Sequence, residues 1–323
     1  MVTTGKSYLV ISLDFELMWG NIESWTTEGY GTSHVSHVRE VITRLLALFE
    51  QYQVKATFAT VGFIMQKKED VKTPLRIPTY QNKVLSPYGD FISSIAPQKE
   101  HLYFATDIIE KLKSSQNVEI GTHTYCHYYC LEKGQTVEQF DADMEMAVAV
   151  AKESGIVLKS IVFPRNQVSD DYLSVCQRHG ITSYRGNARK YFNTPKNTLE
   201  AYKNKVCRLL DAYLNIGGNT SYQLEKGDKP IRNIPASRFL RPYSRLLFFL
   251  EGLRFRRIRK EMEYAAKHGE VYHLWWHPHN FGANIDKNLI FLERILKTYQ
   301  ELHNQYGMVS MTMGEVSEKI QRH

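Results

Sequence analysis

No stretch of this 323-residue chain comes near the ~20 consecutive apolar residues that a membrane-crossing helix needs. Runs such as Leu246 to Leu250 are far too short. The start of the chain does not have the form of a secretion signal. Met1 to Lys6 is polar, and the apolar run behind it leads into acidic residues without a small-residue cleavage site, so a cytoplasmic location is expected. Cysteine is scarce: Cys126, Cys130, Cys176 and Cys207 show no disulfide framework and read as reduced thiols. Internal repeats and low-complexity tracts are absent. Acidic residues are missing from one place in particular. Between Arg238 and Lys260 stand eight of the 41 Lys/Arg but only one of the 34 Asp/Glu, Glu251, so the whole net charge of +7 sits in that stretch. Phe248, Phe249, Leu250 and Leu253 among those bases give an amphipathic character compatible with a membrane surface or an anionic substrate. No nucleic-acid motif accompanies the charge, so nucleic acid is not expected as a partner.

What is present alternates between two patterns. Tyr8 to Leu13, Lys55 to Val61, Val118 to Ile120, Lys159 to Phe163, Ile181 to Tyr184, Val271 to Trp276 and Met308 to Met311 read as buried strands. Helical stretches separate them. One has Val38, Ile42, Leu45, Leu46 and Phe49 as its apolar stripe, capped by Ser33 or Ser36. Another opens on Thr136 and Gln139 as a capping box. A helix is expected near 198–213, and a basic helix from about Tyr243 to Lys267. Residues 64–103, with Pro74, Pro78, Pro87 and Pro97, read as a lid or rim insertion. Strands alternating with helices imply an α/β protein with a parallel sheet, open or closed, in a single domain spanning 1–323.

Polar residues collect where strands end: Asp14 and Glu16, His123, Arg165, Arg185, His277. Enzymes built on parallel barrels keep their chemistry there. His123 and His127 are four apart, a spacing that one helical turn would turn into a shared face and a common metal. His273 and His277 have the same spacing but lie on a strand, about 13 Å apart, and cannot share an ion. His273 therefore reads as a hydrogen-bonded core histidine. A divalent ion on His123, His127 and one carboxylate would polarise a carbonyl and activate water, with Asp14 and His277 available as base and acid. Cys126 and Cys130, beside the histidines, read as buried thiols rather than ligands.

In the order and placement of these motifs the chain resembles the polysaccharide deacetylases of carbohydrate esterase family 4. Ser12-Leu13-Asp14-Phe15-Glu16 resembles the family's first motif in a divergent Asp-x-Glu form. Ala56-Thr57-Phe58 resembles its second strand, and His123-Thr124-Tyr125-Cys126-His127 its histidine motif. Phe163-Pro164-Arg165-Asn166 stands where the family has an arginine motif, and Trp275-Trp276-His277-Pro278 resembles its last one. The resemblance implies a distorted (β/α)7 barrel, with 187–268 as a family-variable segment carrying the basic helix. It implies Asp14 as base, Arg165 paired with it, His277 as acid, and Glu16, His123 and His127 as ligands of a divalent metal. Zinc is the first expectation, with cobalt, nickel or manganese as alternatives. Substrate contacts are expected from Trp19, Trp25, Tyr125, Asn166, Trp276 and His279, with Arg238 and Arg241 for an anionic group. The implied activity is deacetylation of an N-acetylated sugar, on a nucleotide- or lipid-linked glycan of surface-polysaccharide synthesis, with the protein cytoplasmic or peripheral to the inner face of a membrane. An amide or ureide hydrolase on the same scaffold, or an inactive carbohydrate-binding protein, are the alternatives.

Overall fold

The computed structural model describes residues 6–187, 207, 209–224 and 229–321; the helix expected near 198–213 lies mostly outside them. Among the described residues the strands are β1 Tyr8–Phe15, β2 Ala56–Thr60, β3 Val118–Thr122, β4 Ser160–Ile161, β5 Ser183–Tyr184, β6 Arg232–Asn233, β7 Arg238–Phe239, β8 Val271–Trp276 and β9 Val309–Met311. The described helices of five residues or more are α1 Val38–Gln51, α2 Asp90–Ser94, α3 Thr106–Ser114, α4 Val137–Glu153, α5 Asp170–Arg178, α6 Glu251–His268, α7 Ile285–Tyr306 and α8 Met313–Gln321, besides short 3-10 and π turns. No described helix is long and apolar enough to cross a membrane.

The sheet runs β6-β5-β4-β3-β2-β1-β8-β7, with β9 also paired to β1, and every named pairing is parallel. All eight residues of β1 are buried, the near-continuous burial expected of a strand covered on both faces. β2 pairs with its C-terminal half (Ser12 to Phe15) and β9 with its N-terminal end (Tyr8 to Val10). β8 lies alongside from Tyr8 to Leu13.

The two edge strands belong to one continuous segment. The amides of Arg232, Ile234 and Ala236 donate to the carbonyls of Thr182, Tyr184 and Gly186, and those of Ser237 and Leu240 to the carbonyls of His273 and Trp275. One bend at Pro235 and Ala236 thus joins β5 to β8 and curls the sheet into a distorted barrel. The fold class implied by the sequence is the one found.

The capping box at the head of α4 is present: Thr136 Oγ1 accepts from Gln139 N while the Gln139 side chain accepts from Thr136 N. Two expectations differ. Neither serine caps α1, because the Ser33 and Ser36 hydroxyls donate backward to the Gly29 and Thr32 carbonyls and His37 stands at the N-cap. The basic helix begins at Glu251, not Tyr243, since the Tyr243 amide is taken by Asn288 Oδ1 (2.6 Å) and Phe248–Leu250 forms a separate 3-10 turn.

Because the sheet is parallel, the C-terminal ends of its strands share one end of the barrel. Asp14, His123, Arg185 and His277 all lie at such ends.

Candidate active site

Residues two apart on a strand face the same way, and Asp14 and Glu16 do so at the end of β1. Both are buried. Leu17 then turns the chain with a positive φ of 49° into the 3-10 helix Leu17–Asn21. That turn brings Gly20 so close that an added Cβ would stand 2.1 Å from Glu16 Oε1, so only glycine leaves the carboxylate where it is.

The two histidines come from a loop after β3 rather than from a helical turn. Thr124 (φ 66°) and His127 (φ 61°) adopt the left-handed conformation, and the loop is bound at several points. Asp143 of α4 accepts from the amides of Tyr125 (2.7 Å) and Cys126 (3.1 Å), and Thr124 Oγ1 accepts from Tyr128 N (2.6 Å). The Gly62 and Phe63 amides donate to the Thr124 and Tyr125 carbonyls, an approach for which residue 62 must lack a Cβ, which would meet the Tyr125 ring at 2.5 Å. Burial pushes the Asp143 carboxyl up to about 6 against the opposing pull of these hydrogen bonds.

His123 Nδ1–H donates to the Val162 carbonyl (2.7 Å), leaving the Nε2 lone pair for the cavity, 3.3 Å from Glu16 Oε2. His127 Nε2 lies 3.1 Å from the same oxygen, with Nδ1 against the Tyr129 hydroxyl (3.1 Å). Burial works to raise the Glu16 carboxyl, but His277, His123 and His127 outweigh it and hold it well below the usual carboxylate range. Burial lowers the His127 imidazole, favouring its neutral, ligating form. Three donor atoms from Glu16, His123 and His127 lie within 4.8 Å of one another. One ionised carboxylate and two imidazoles, one of them fixed through its other nitrogen, make a donor set that fits a divalent cation. Among the described residues no cysteine joins the set. Cys126 and Cys130 are buried thiols, their pKa values pushed well up by desolvation.

Asp14 is held by Arg185, from the end of β5. Nη1 donates to Asp14 Oδ1 (2.6 Å) and Nη2 to Oδ2 (2.7 Å), while the same guanidinium reaches Ser12 Oγ (3.0 Å) and Asn166 Oδ1 (3.1 Å) and lies 4.1 Å over the Trp275 ring. His273 completes this support. Its Nδ1–H donates to the Ile234 carbonyl, so Nε2 accepts from the Ser12 hydroxyl (2.8 Å). Desolvation favours a neutral Asp14, yet Arg185 and His277 more than offset it and the pKa is lowered.

On the other side stands His277. Its Nε2 faces Glu16 Oε1 (3.5 Å) and Asp14 Oδ2 (3.7 Å), and Nδ1–H donates to Asn280 Oδ1 (3.2 Å), whose amide nitrogen donates to Tyr30 Oη (3.2 Å). A cleft of 310 Å³ opens here, lined by Glu16, Asn21, Trp25, Arg165, Phe239, His277, His279 and Asn280 among others.

Several expected site residues lie elsewhere. Arg165 does not reach Asp14: it pairs with Glu23 and Glu132 and covers the Tyr129 ring at 4.1 Å, at the cleft wall. Its backbone is left-handed (φ 54°), and Arg185 occupies the position next to Asp14. Trp19 and Tyr125 are sealed under the 64–103 segment. Trp19 Nε1 donates to the Tyr103 carbonyl amid Phe63, Phe91 and Phe104, and the Tyr125 hydroxyl meets Gln66 and the Lys72 carbonyl. Trp276 is core, stacked on Phe281. Arg238 is buried in a structural ion cluster with Glu261 and Asp211. The Arg241 carbonyl accepts from Arg254, and Arg241 is not among the cleft residues.

Trp25, half-buried and stacked on Tyr30, and His279 do line the cleft, while Asn166 touches Arg185. Burial, with His277 next in effect, pushes His279 down to about 3. Arg185 was visible in the sequence as a polar strand end. Asn280 and Tyr129 carried no comparable signal.

A family model described as polysaccharide deacetylase matches residues 28–184, from before α1 through β5, taking in both histidines but neither Asp14 and Glu16 nor His277. Over those residues, just under half of its length, the chain is similar to the polysaccharide deacetylase family. Among solved structures it is similar to a candidate polysaccharide deacetylase from Mycobacterium smegmatis (12% identity, 100% of this chain and 93% of that one, TM-score 0.61). It is also similar to Puue allantoinase (12% identity, 98% and 91%, TM-score 0.54). At these identities the likeness is one of fold. No curated protein matches the sequence.

Proposed function

We propose that the protein is a metal-dependent hydrolase that removes the acetyl group from an N-acetylated sugar, carried on a nucleotide or a lipid during surface-polysaccharide synthesis. The observation that carries this reading is the pairing of two differently held carboxylates. Asp14 is gripped by Arg185, while Glu16, 3.1–3.3 Å from two imidazole nitrogens, completes a metal-ligand set beside it.

Glu16, His123 and His127 would hold the ion, zinc first among the candidates. Once bound, a divalent ion supplies the Lewis acidity that polarises the acyl oxygen and makes water a usable nucleophile near neutral pH. Asp14 takes the water's proton, its orientation fixed by both arms of Arg185. His277 Nε2 delivers a proton to the leaving amine, with Asn280 holding Nδ1 in the matching tautomer. Trp25 and Phe239 offer aromatic surface, and Asn21, Asn280 and Arg165 offer polar contacts, a lining suited to a sugar ring.

The test is acetate release from a panel of N-acetylated sugars, sugar nucleotides and lipid-linked saccharides, with zinc added and with His123→Ala as control. Acetate released by the native protein and not by the variant supports the reading. Cleavage confined to a cyclic amide or ureide in the same panel would replace it with a different amidohydrolase, and bound metal without turnover on any member would leave a binding protein.

A further inference from the structure

The turn that leads into α6 carries apolar side chains that none of the described residues covers. Leu246 is 85% exposed, Phe248 61%, Phe249 67% and Leu253 38%, and the two phenylalanine rings meet edge to face at 5.9 Å. The turn is nonetheless shaped by its own backbone hydrogen bonds, Leu247 N to Ser244 O and Leu250 N to Leu247 O. We propose that Leu246–Leu253 is a docking tip that inserts into the surface of an anionic phospholipid bilayer.

Charge selects the occupant. Arg245 and Arg256 flank the tip and are exposed. Glu251, the single acid between Arg238 and Lys260, is bound to Arg254, which is itself buried. The outward face of the tip is thus apolar with a basic collar, the pattern that places side chains at the acyl boundary and bases among anionic headgroups. A second copy of the chain fits less well, because a twofold contact through this tip would set the same arginines against each other.

Topology gives the tip its bearing on function. β7 runs parallel to β8, so its C-terminal end is at the end of the barrel that holds the cleft, and Phe239 of β7 lines that cleft. The chain goes on from there through the tip, and α6 returns to the start of β8 at the opposite end. Docking at the tip would turn the cleft end toward the bilayer, where a lipid-linked saccharide is presented. That last step rests on the proposed deacetylase reading; the docking itself does not.

The experiment is co-sedimentation of the full-length, zinc-loaded protein with vesicles of phosphatidylcholine alone and of phosphatidylcholine mixed with phosphatidylglycerol. The expected result is binding to the mixed vesicles that weakens as salt is raised. Phe248→Ser with Phe249→Ser should lower that affinity roughly tenfold or more. Arg245→Gln and Arg256→Gln should each lower it about fivefold. Metal content and the thermal midpoint should stay unchanged in every variant, since these side chains face outward. Failure of the wild type to bind the mixed vesicles overturns the proposal, as does equal binding by the phenylalanine variant. A dimer that this variant dissolves, with vesicles ignored, would make the tip a protein interface and likewise overturn it. Absence of acetate release would count against the deacetylase reading alone, because vesicle binding is measured without turnover.

Discussion

Arg185 and Asp14 meet through two parallel hydrogen bonds, 2.6 and 2.7 Å long, and both side chains are buried. Bidentate geometry fixes direction as well as charge. Arg185→Ala leaves a carboxylate buried without its partner, at an expected cost of about 3–5 kcal/mol. Arg185→Lys keeps the charge but loses the fork, and turnover should fall at least about 10²-fold with the misplaced base. Arg165→Ala, at a partly exposed pair, should change stability by no more than about 1 kcal/mol and act on KM. Urea unfolding and steady-state kinetics on the three variants check this; a larger loss of kcat in Arg165→Ala than in Arg185→Lys would reverse the assignment.

Gly20 lies against the Glu16 carboxylate. Gly20→Ala should push that carboxylate out of line and weaken metal binding by roughly 10–100-fold, as losing support around a ligand does. Glu16→Gln and His123→Ala should lower metal content further, while Asp14→Asn retains it. Elemental analysis and calorimetric metal titration decide the order, and metal loss in Asp14→Asn would exchange the roles of the two acids.

His277 faces both carboxylates through Nε2. Its replacement by alanine should lower kcat by about 10²–10⁴ with metal retained. Asn280→Ala should cause a smaller loss in the same direction, because the ring keeps its chemistry but not its tautomer. His279→Ala, a buried site packed edge-on against Trp25 and Tyr30, should show first in thermal stability. Unchanged kcat in His277→Ala would remove it from the mechanism.

Acid stability follows from His273. Burial, reinforced by Arg185, lowers this imidazole to about 3. The unfolded chain therefore binds a proton near pH 6.5 that the folded chain refuses, so its stability contribution is complete above about pH 6.5 and is lost as the pH falls toward 3. Unfolding free energies measured from pH 7.5 down to 4.5 should decline, and the decline should be shallower in His273→Gln. Parallel curves would place the acid sensitivity elsewhere.

The fold and much of the candidate site were legible because strand alternation and strand-end polarity are local properties. Asp14, Glu16 and His277 sit where a strand's last residues must point. The partner of Asp14 was not legible. Both arginines read as strand ends in the sequence, but Arg165 lies in the left-handed 3-10 turn Pro164–Asn166 beyond β4 and pairs with Glu23 and Glu132, while Arg185 directly follows β5 and grips Asp14. Trp19 and Tyr125 were misjudged for a related reason. The 64–103 segment has no periodicity to reveal that it lies over them, and an aromatic beside a motif looks the same in sequence whether covered or open. The basic stretch misled in part, since Arg238 and Arg257 are spent on the buried Glu261 just beyond it, and Arg254 on the half-buried Glu251 within it.

The position of β1 has a further consequence, for the order in which the molecule can assemble. Tyr8 is paired with Val271 and with Val309 as well as lying on the strand that meets β2, so the first strand gains two of its neighbours only from the last fifth of the chain. Contacts of such long sequence separation are closed late and slowly. During synthesis the three candidate ligands, Glu16, His123 and His127, are all out of the ribosome long before His277 exists, and before the β8 and β9 contacts that bury β1 are made. Early chelation by Glu16, His123 and His127 would then act as a clip between β1 and the loop after β3, holding one edge of the barrel until the other arrives.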